Sequence, residues 1–384
     1  MALQIYEVSY STNGSSWTAL TNVQSFNFNA GRVSQLDQIK TGTATVEMRY
    51  PTGYASPITA LVSGTQLRIR NVTPSITTKL IWTGFISDVG AQYGIPYAGG
   101  VGQADFLTIQ AEGSFARFGR MQGNNYAMAA GNINTQVASS NAQTGLTLQV
   151  QPLSTVDPTP VFNGTLSATT VSSTWGDWVA RVCQTLNARL WELGNNAIIV
   201  SPFATKALNP PSFSDVSNVG NIQKYNQISF DSLADNYYTQ VTVTPEGFSA
   251  ATVTQAGATT PYRAYQTNTL NASTSQATDF ANYLLANYGT ARFAISSFTC
   301  SAEAQAQNYL DFVGWNTDLT TCAGTQVAVT FRGTTYQCLV EGVRVSATPA
   351  GAVYTFFVSG ADLNSYLILD NSTFGKLDSN RLAY

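Results

Sequence analysis

Any side-chain chemistry in this chain would fall to 21 carboxylates and four cysteines, because its 384 residues include no histidine. Without an imidazole there is no Ser-His-Asp or Cys-His nucleophile, no histidine general base and no histidine-ligated zinc. Cys183, Cys300, Cys322 and Cys338 form no C-x-x-C pair and so lack the spacing of a thiolate metal site. A hairpin about Arg332-Gly333-Thr334 would set Cys338 opposite about Ala328, well away from Cys322, so buried free thiols are expected. A two-carboxylate glycosidase stays open in principle, since paired carboxylates leave no local spacing signature. The run YAGGVGQAD, Tyr97 to Asp105, has the glycines of a phosphate loop but no lysine, no helix to follow and no complete G-x-G-x-x-G. It reads as a β-hairpin tip. No catalytic, cofactor-binding or metal-binding residue is assigned, and no cofactor is expected.

Composition points away from small-molecule chemistry. Charged residues make up 10% of the chain, against about 25% in ordinary soluble proteins. Ser, Thr, Asn, Gln and Gly fill the deficit. A polar but uncharged surface with 19 Tyr and 19 Phe suits a protein that buries itself against neighbours, since each charge desolvated in an interface costs free energy. The net charge is −3 and 18 basic residues are spread along the whole length, so no cluster tracks phosphates and no sequence-specific nucleic-acid binding is expected. The start, MALQIYEVSYSTNG, lacks a basic and an apolar signal region, and no stretch reaches the roughly 18 apolar residues of a membrane span. Folding in a cytosol is expected.

The first third is strand and turn. Alternating patterns predict strands over Ile5–Tyr10, Val23–Asn29, Thr43–Tyr50, Gln66–Arg70, Lys79–Asp88 and Ala104–Glu112, with Asn13-Gly14 supplying a tight turn. Two helices stand out. One, near 174–193, carries Trp178, Val179, Val182, Leu186 and Leu190 on one stripe, with Ser173 or Thr174 as cap and Gly194 as stop. The other, near 275–288, opens on Ser273-Thr-Ser-Gln276 and carries Phe280, Ala281, Leu284 and Tyr288. LNPPSFSD, with Pro210-Pro211, reads as a linker, and Thr239–Pro245 with Phe248–Gln255 as a hairpin about Glu246-Gly247.

An internal repeat organises these elements. GTQLRIR at Gly64 has a counterpart in GTQVAVTF at Gly324, and LIWTGFISD, with central Gly84, one in CLVEGVRVS, with central Gly342. ADFLTIQAEG, ending at Gly113, then parallels AVYTFFVSG, ending at Gly360. Three similar strands in one order imply two copies of one β-barrel motif. The expected class is mainly β with a few helices (β + α), as two β-barrel domains plus inserted α/β segments. The expected division is 1–123, an N-terminal β-barrel; 124–235, an inserted middle domain; and 236–384, a second β-barrel with helix 275–288 and a C-terminal extension.

Gly31-Arg32, Thr41-Gly42-Thr43-Ala44 opening a strand, Pro51 and Gly53 in a turn, Gly64, and Trp82-Thr83-Gly84-Phe85-Ile86 together resemble the N-terminal domain of the tail hub (baseplate hub or minor tail) proteins of long-tailed bacteriophages. So do EGSFARFGR from Glu112, the helix Ala277–Tyr288, the strand Phe293–Cys300, NYLDFVGWNTDL, and the closing FGKLDSNRLAY from Phe374. The likeness covers both ends and not Asn124–Ser217, and Pro51-Thr52-Gly53 departs from the family's usual Asn-Asp-Gly type of turn. It implies tail-tube-like β-barrels in a homotrimeric ring joining a six-fold tail tube to a three-fold tip. The implied partners are the tail tube or distal tail protein, the tape-measure protein and other tail-tip or fibre proteins, and the implied location is the virion tail tip. Two similar barrels per chain would offer a hexameric neighbour six near-equivalent units. A distal tail ring, or a host-binding adhesin using aromatics such as Trp17 or Tyr54, are the other readings.

Overall fold

The computed structural model describes residues 5–34, 36–50, 59–73, 78–92, 105–150, 165–193, 196–200, 211–216, 222–231, 237–289, 294–302, 313, 322–360, 366–367 and 381–382. The hairpin tip expected at Tyr97–Asp105 falls, but for Asp105, outside them. So do Pro51–Gly53 and most of the closing run from Phe374.

The N-terminal part consists of β1 (Tyr6–Ser11), β2 (Val23–Gly31), β3 (Thr43–Tyr50), β4 (Gln66–Asn71), β5 (Lys79–Gln92) and β6 (Asp105–Glu112). Strict alternation decides these strands: Phe26, Phe28 and Ala30 of β2 and Ala44, Val46 and Met48 of β3 point into the core, while Asn27, Asn29 and Glu47 face out. Next come α1 (Phe115–Arg120), α2 (Ile133–Thr144), α3 (Trp175–Thr185), β7 (Arg189–Leu193), β8 (Asn196–Val200) and β9 (Ser212–Ser214). The remainder is β10 (Gln227–Asp231), β11 (Gln240–Pro245), β12 (Ala251–Thr254), β13 (Ala264–Thr269), α4 (Thr274–Tyr288), β14 (Ala294–Ala302), β15 (Gln326–Phe331), β16 (Thr334–Thr348) and β17 (Gly351–Gly360).

The described residues are mostly β with four helices, in keeping with the expected class of mainly β with a few helices. The strands do not close into two barrels among the described residues. One 14-stranded sheet contains both halves, because β2 pairs with β16 across the chain. An edge that a separate barrel would close on itself is thereby taken by the other half. The core follows the sheet: one cluster runs from Val8 and Phe28 through Ile69 and Ile109 to Val327, Val345 and Phe356. A second cluster holds α1, α2 and α3 around Phe118, Trp175, Trp178 and Val182, and a third packs α4 on the small sheet β12-β11-β13 through Val241, Val243, Phe280 and Leu284.

Three expectations need correction. The helix from Trp175 stops at Thr185 instead of running to Gly194, and Leu190 lies on β7. Helix α4 has the predicted cap, Ser273 accepting from the Gln276 N–H, but it packs on β11 and β12, not on the second half of the large sheet. The segment read as a linker contains β9, which pairs in parallel with β15 and buries Phe213 completely.

Candidate functional site at the seam of the sheet

Within the large sheet one run has the order β10-β14-β17-β16-β2-β3-β6-β5, every neighbour antiparallel. Its first four strands and its last four follow the same pattern. The correspondence extends to single bonds. The Gly64 N–H donates to the Ile86 carbonyl at 2.8 Å, the Ile86 N–H to Thr65 at 2.8 Å and the Thr65 N–H to Val62 at 3.0 Å. In the other half Gly324 donates to Val340 at 2.7 Å, Val340 to Thr325 at 3.0 Å and Thr325 to Cys322 at 3.2 Å. A bulge follows at the same place in each copy, between Ile86 and Asp88 on β5 and between Val340 and Gly342 on β16.

These contacts equate Gly64 with Gly324 and, through the pairs Ile86–Ala111 and Val340–Val358, Gly113 with Gly360. Gly84 and Gly342 are not equivalents. Gly84 stands where the other copy has Cys338, and Gly342 stands where the first copy has Asp88. Matching one central glycine to another missed the extra residues joining β4 to β5, which lengthen the first copy between its turn and its bulge. Each glycine has its own steric reason. A Cβ on Gly84 would meet the Glu112 carbonyl oxygen at 2.3 Å, and one on Gly342 the carbonyl oxygens of Arg32 and Ala30 at 2.6 and 2.7 Å.

The seam between the two quartets combines close backbone contact with buried charge. β16 and β2 pair from Gly342–Gly31 to Ala347–Phe26. At Gly31, whose φ of 79° needs glycine, a Cβ would come within 2.4 Å of the Glu341 carbonyl oxygen. The bulged residue, Glu341, is fully buried beside two cations. Arg32 donates through Nε to Oε2 at 2.8 Å and Arg189 through Nε to Oε2 at 2.9 Å, while Arg189 Nη2 and the Ser359 hydroxyl donate to Oε1. Burial alone would raise this carboxyl; Arg189 and Arg32 overcome it and hold it down at about 2. Arg32 leaves β2, Glu341 sits on β16 and Arg189 on β7, so one carboxylate ties both halves and the middle segment together.

Strand β7 makes a second anchor three residues on. Glu192 accepts from the N–H groups of Gly42 and Phe115, the latter at 2.7 Å, and from the Thr41 hydroxyl at 3.3 Å. A Cβ on Gly113 would fall 2.1 Å from its Oε1, so the carboxylate occupies the space that glycine leaves. Burial pushes the Glu192 carboxyl up to about 7, against the opposing effect of those backbone donors. A cavity of about 190 Å³ opens nearby among Arg32, Asp37, Arg181, Gln184 and Leu284.

Sequence patterns singled out the six glycines and Arg32 but missed Arg189, Glu192 and Glu341. A charged residue inside an apolar strand, as in CLVEGVRV and ARLWEL, was the available signal. No group of three metal-ligating side chains occurs among the described residues, and their four cysteines, all buried, are free thiols.

No protein-family model matches the sequence, and no curated protein matches it. Solved structures do match. The 43 kDa tail protein of prophage MuSo2 from Shewanella oneidensis superposes with a TM-score of 0.62 at 13% identity, over 93% of this chain and 99% of that one. The tail protein from Neisseria meningitidis MC58 gives 0.58 at 12% identity, over 93% and 97%. The E. coli c3393 protein, a type VI secretion component with structural similarity to the T4 tail proteins gp27 and gp5, gives 0.52 at 8% identity, over 93% and 77%. The chain therefore has the fold of phage tail proteins, shared with a component of the type VI secretion system.

Proposed function

We propose that this chain is the hub ring of a bacteriophage tail tip, a homotrimer in the virion that joins a six-fold tail tube to a three-fold tip. One observation carries the reading: two strand quartets of the same order and sense lie side by side in one run. Three chains would supply six such units, enough to match a hexameric tube or distal tail ring on one side while keeping three-fold symmetry on the other. The chain is then two copies of one unit, the second opening at β10, inside the span 124–235 that the sequence reading gives to an inserted domain.

The outward face of the run supports a channel for DNA and tape-measure protein. Asn27, Asn29, Thr43, Gln110 and Ser346 are exposed there, with Glu47, Arg49 and Arg344 as scattered charges of both signs. Such a wall offers a passing polyanion no cluster of cations to release counterions against, and so no grip. The role is structural and not enzymatic, and assembly partners are the tail tube or distal tail protein, the tape-measure protein and tip or fibre proteins. Mass and symmetry of tail tips carrying the tagged chain test this. Three copies about a three-fold axis are expected; six or twelve would overturn it. Purified protein should leave peptidoglycan intact, and turnover abolished by a single Asp or Glu substitution would show an enzyme instead.

A further inference from the structure

The seam leaves one charge uncancelled. Arg32 and Arg189 share the single carboxylate of Glu341, so the buried triad is a net cation, and among the described residues no other carboxylate lies within ion-pair distance of either arginine. Arg32 is 6% exposed. Its side chain is bonded through Nε to Glu341 at 2.8 Å, and its buried Nη2 has no hydrogen-bond partner. A buried guanidinium ordinarily fills its fork of donors, because a charged donor left unmet away from water carries its full desolvation cost. Arg189 Nη1 lacks a partner too. Arg32, however, also lines a cavity.

That cavity, of about 190 Å³, opens between the chain following β2, helix α3 and helix α4. Burial pushes the Cys183 thiol on its α3 wall up to about 12, and the Arg32 charge opposes that rise, so the cation acts on this space. The other charges of the lining are already engaged. Arg181 pairs with Glu246, Asp177 belongs to the capping box of α3, and Asp37 accepts from the Ser34 N–H at 3.0 Å. Much of the remaining wall is apolar, from Leu36, Ile39, Phe280 and Leu284. Gln38 and Asp177, both exposed, mark the mouth.

We propose that this cavity binds a monocarboxylate carried on a compact apolar body, with Arg32 as its counter-ion. The site goes beyond the hub-ring reading and does not depend on it. A carboxylate matches the planar guanidinium and can accept from the unpartnered Nη2. Asp37 and Asp177 disfavour a dianion such as phosphate, while a bare ion such as chloride would leave Leu36 and Phe280 facing water. Size agrees with this class. An apolar cavity of about 150 Å³ takes up benzene, so this one has room for a ring or a branched chain beside the carboxylate. Such a ligand is either a free acid or the carboxyl-terminal residue of another chain.

Calorimetric titration of the purified chain tests the site, with benzoate set against its neutral isostere benzamide. Benzoate should bind once per chain and roughly tenfold or more tighter than benzamide, and inorganic phosphate should give no saturable binding. N-acetyl-leucine, set against N-acetyl-leucinamide, presents the same chemistry as a chain end; whichever carboxylate binds tighter identifies the source. Ala180→Phe fills the cavity from a half-buried position on α3 and leaves Arg32 and Glu341 untouched. It should weaken carboxylate binding by roughly tenfold or more with circular dichroism unchanged. Arg32→Gln should remove the preference for benzoate over benzamide; where it unfolds the seam, Ala180→Phe decides alone. Equal binding of benzoate and benzamide, phosphate binding as tightly as benzoate, carboxylate binding undiminished in Ala180→Phe, or no saturable binding of either carboxylate would overturn the proposal. The copy number in tail tips bears on none of these outcomes, so the hub reading stands or falls separately.

Discussion

At the seam two buried glutamates pull the chain's stability in opposite directions with pH. Glu341 is held at about 2 in the fold against an ordinary value of 4.5, so its contribution is complete above that value and is lost as pH falls through about 2. Glu192 has the reverse sign. The unfolded chain releases this proton near 4.5 and the fold keeps it to about 7, so stability falls as pH rises across that window, by on the order of 3 kcal/mol. Glu192→Gln, which keeps an acceptor for Gly42 or Phe115, should flatten urea stability between those values. An unchanged slope would place the titration elsewhere. Steric asymmetry is as testable. Gly342→Val forces a side chain onto the backbone of Ala30 and Arg32, and should cost roughly 3 kcal/mol or more in the isolated chain. Asp88→Val, at the equivalent exposed position, should stay within about 0.5 kcal/mol.

Elements were legible where local signals agreed and obscure where they did not. The strands β2, β3, β5 and β6 follow from two-residue alternation, and α4 from Ser273 and its apolar stripe. Helix α2 was missed because INTQVASSNAQT has few apolar residues, although Asn132 caps it and Gly145 ends it with a φ of 65°. Helix α3 was overextended because Leu190 continues the helical stripe, while Asn187, at positive φ, actually turns the chain into β7. The seam itself was unreadable. Arg32, Arg189 and Glu341 are far apart in sequence, and only the folded sheet brings them together. Helix α4 gives the element-scale prediction. Leu284→Asp places a carboxylate among Val241, Val243 and Phe280, so it should cost about 3 kcal/mol. Near-neutral stability with lost assembly would mark this face as an interface instead.

On the scale of the whole molecule, the ring proposed here has two kinds of joint, and their chemistry makes them unequal. The joint inside the chain pairs nine-residue β2 with β16, brings Gly31 against Gly342, and is locked by the Glu341 carboxylate between Arg32 and Arg189. A joint between chains pays the entropy of association that this tethered joint avoids. Rings should accordingly open before chains unfold. In a urea titration followed by sedimentation and by tryptophan fluorescence, loss of the trimer should come first, with a midpoint that rises with protein concentration, leaving folded monomers. Loss of the tryptophan signal should follow at a midpoint independent of concentration, because Trp175, Trp178 and Trp191 are buried within one chain. A single transition whose midpoint moves with concentration would mean that the monomer does not hold its fold alone, and the inequality of the two joints would be refuted.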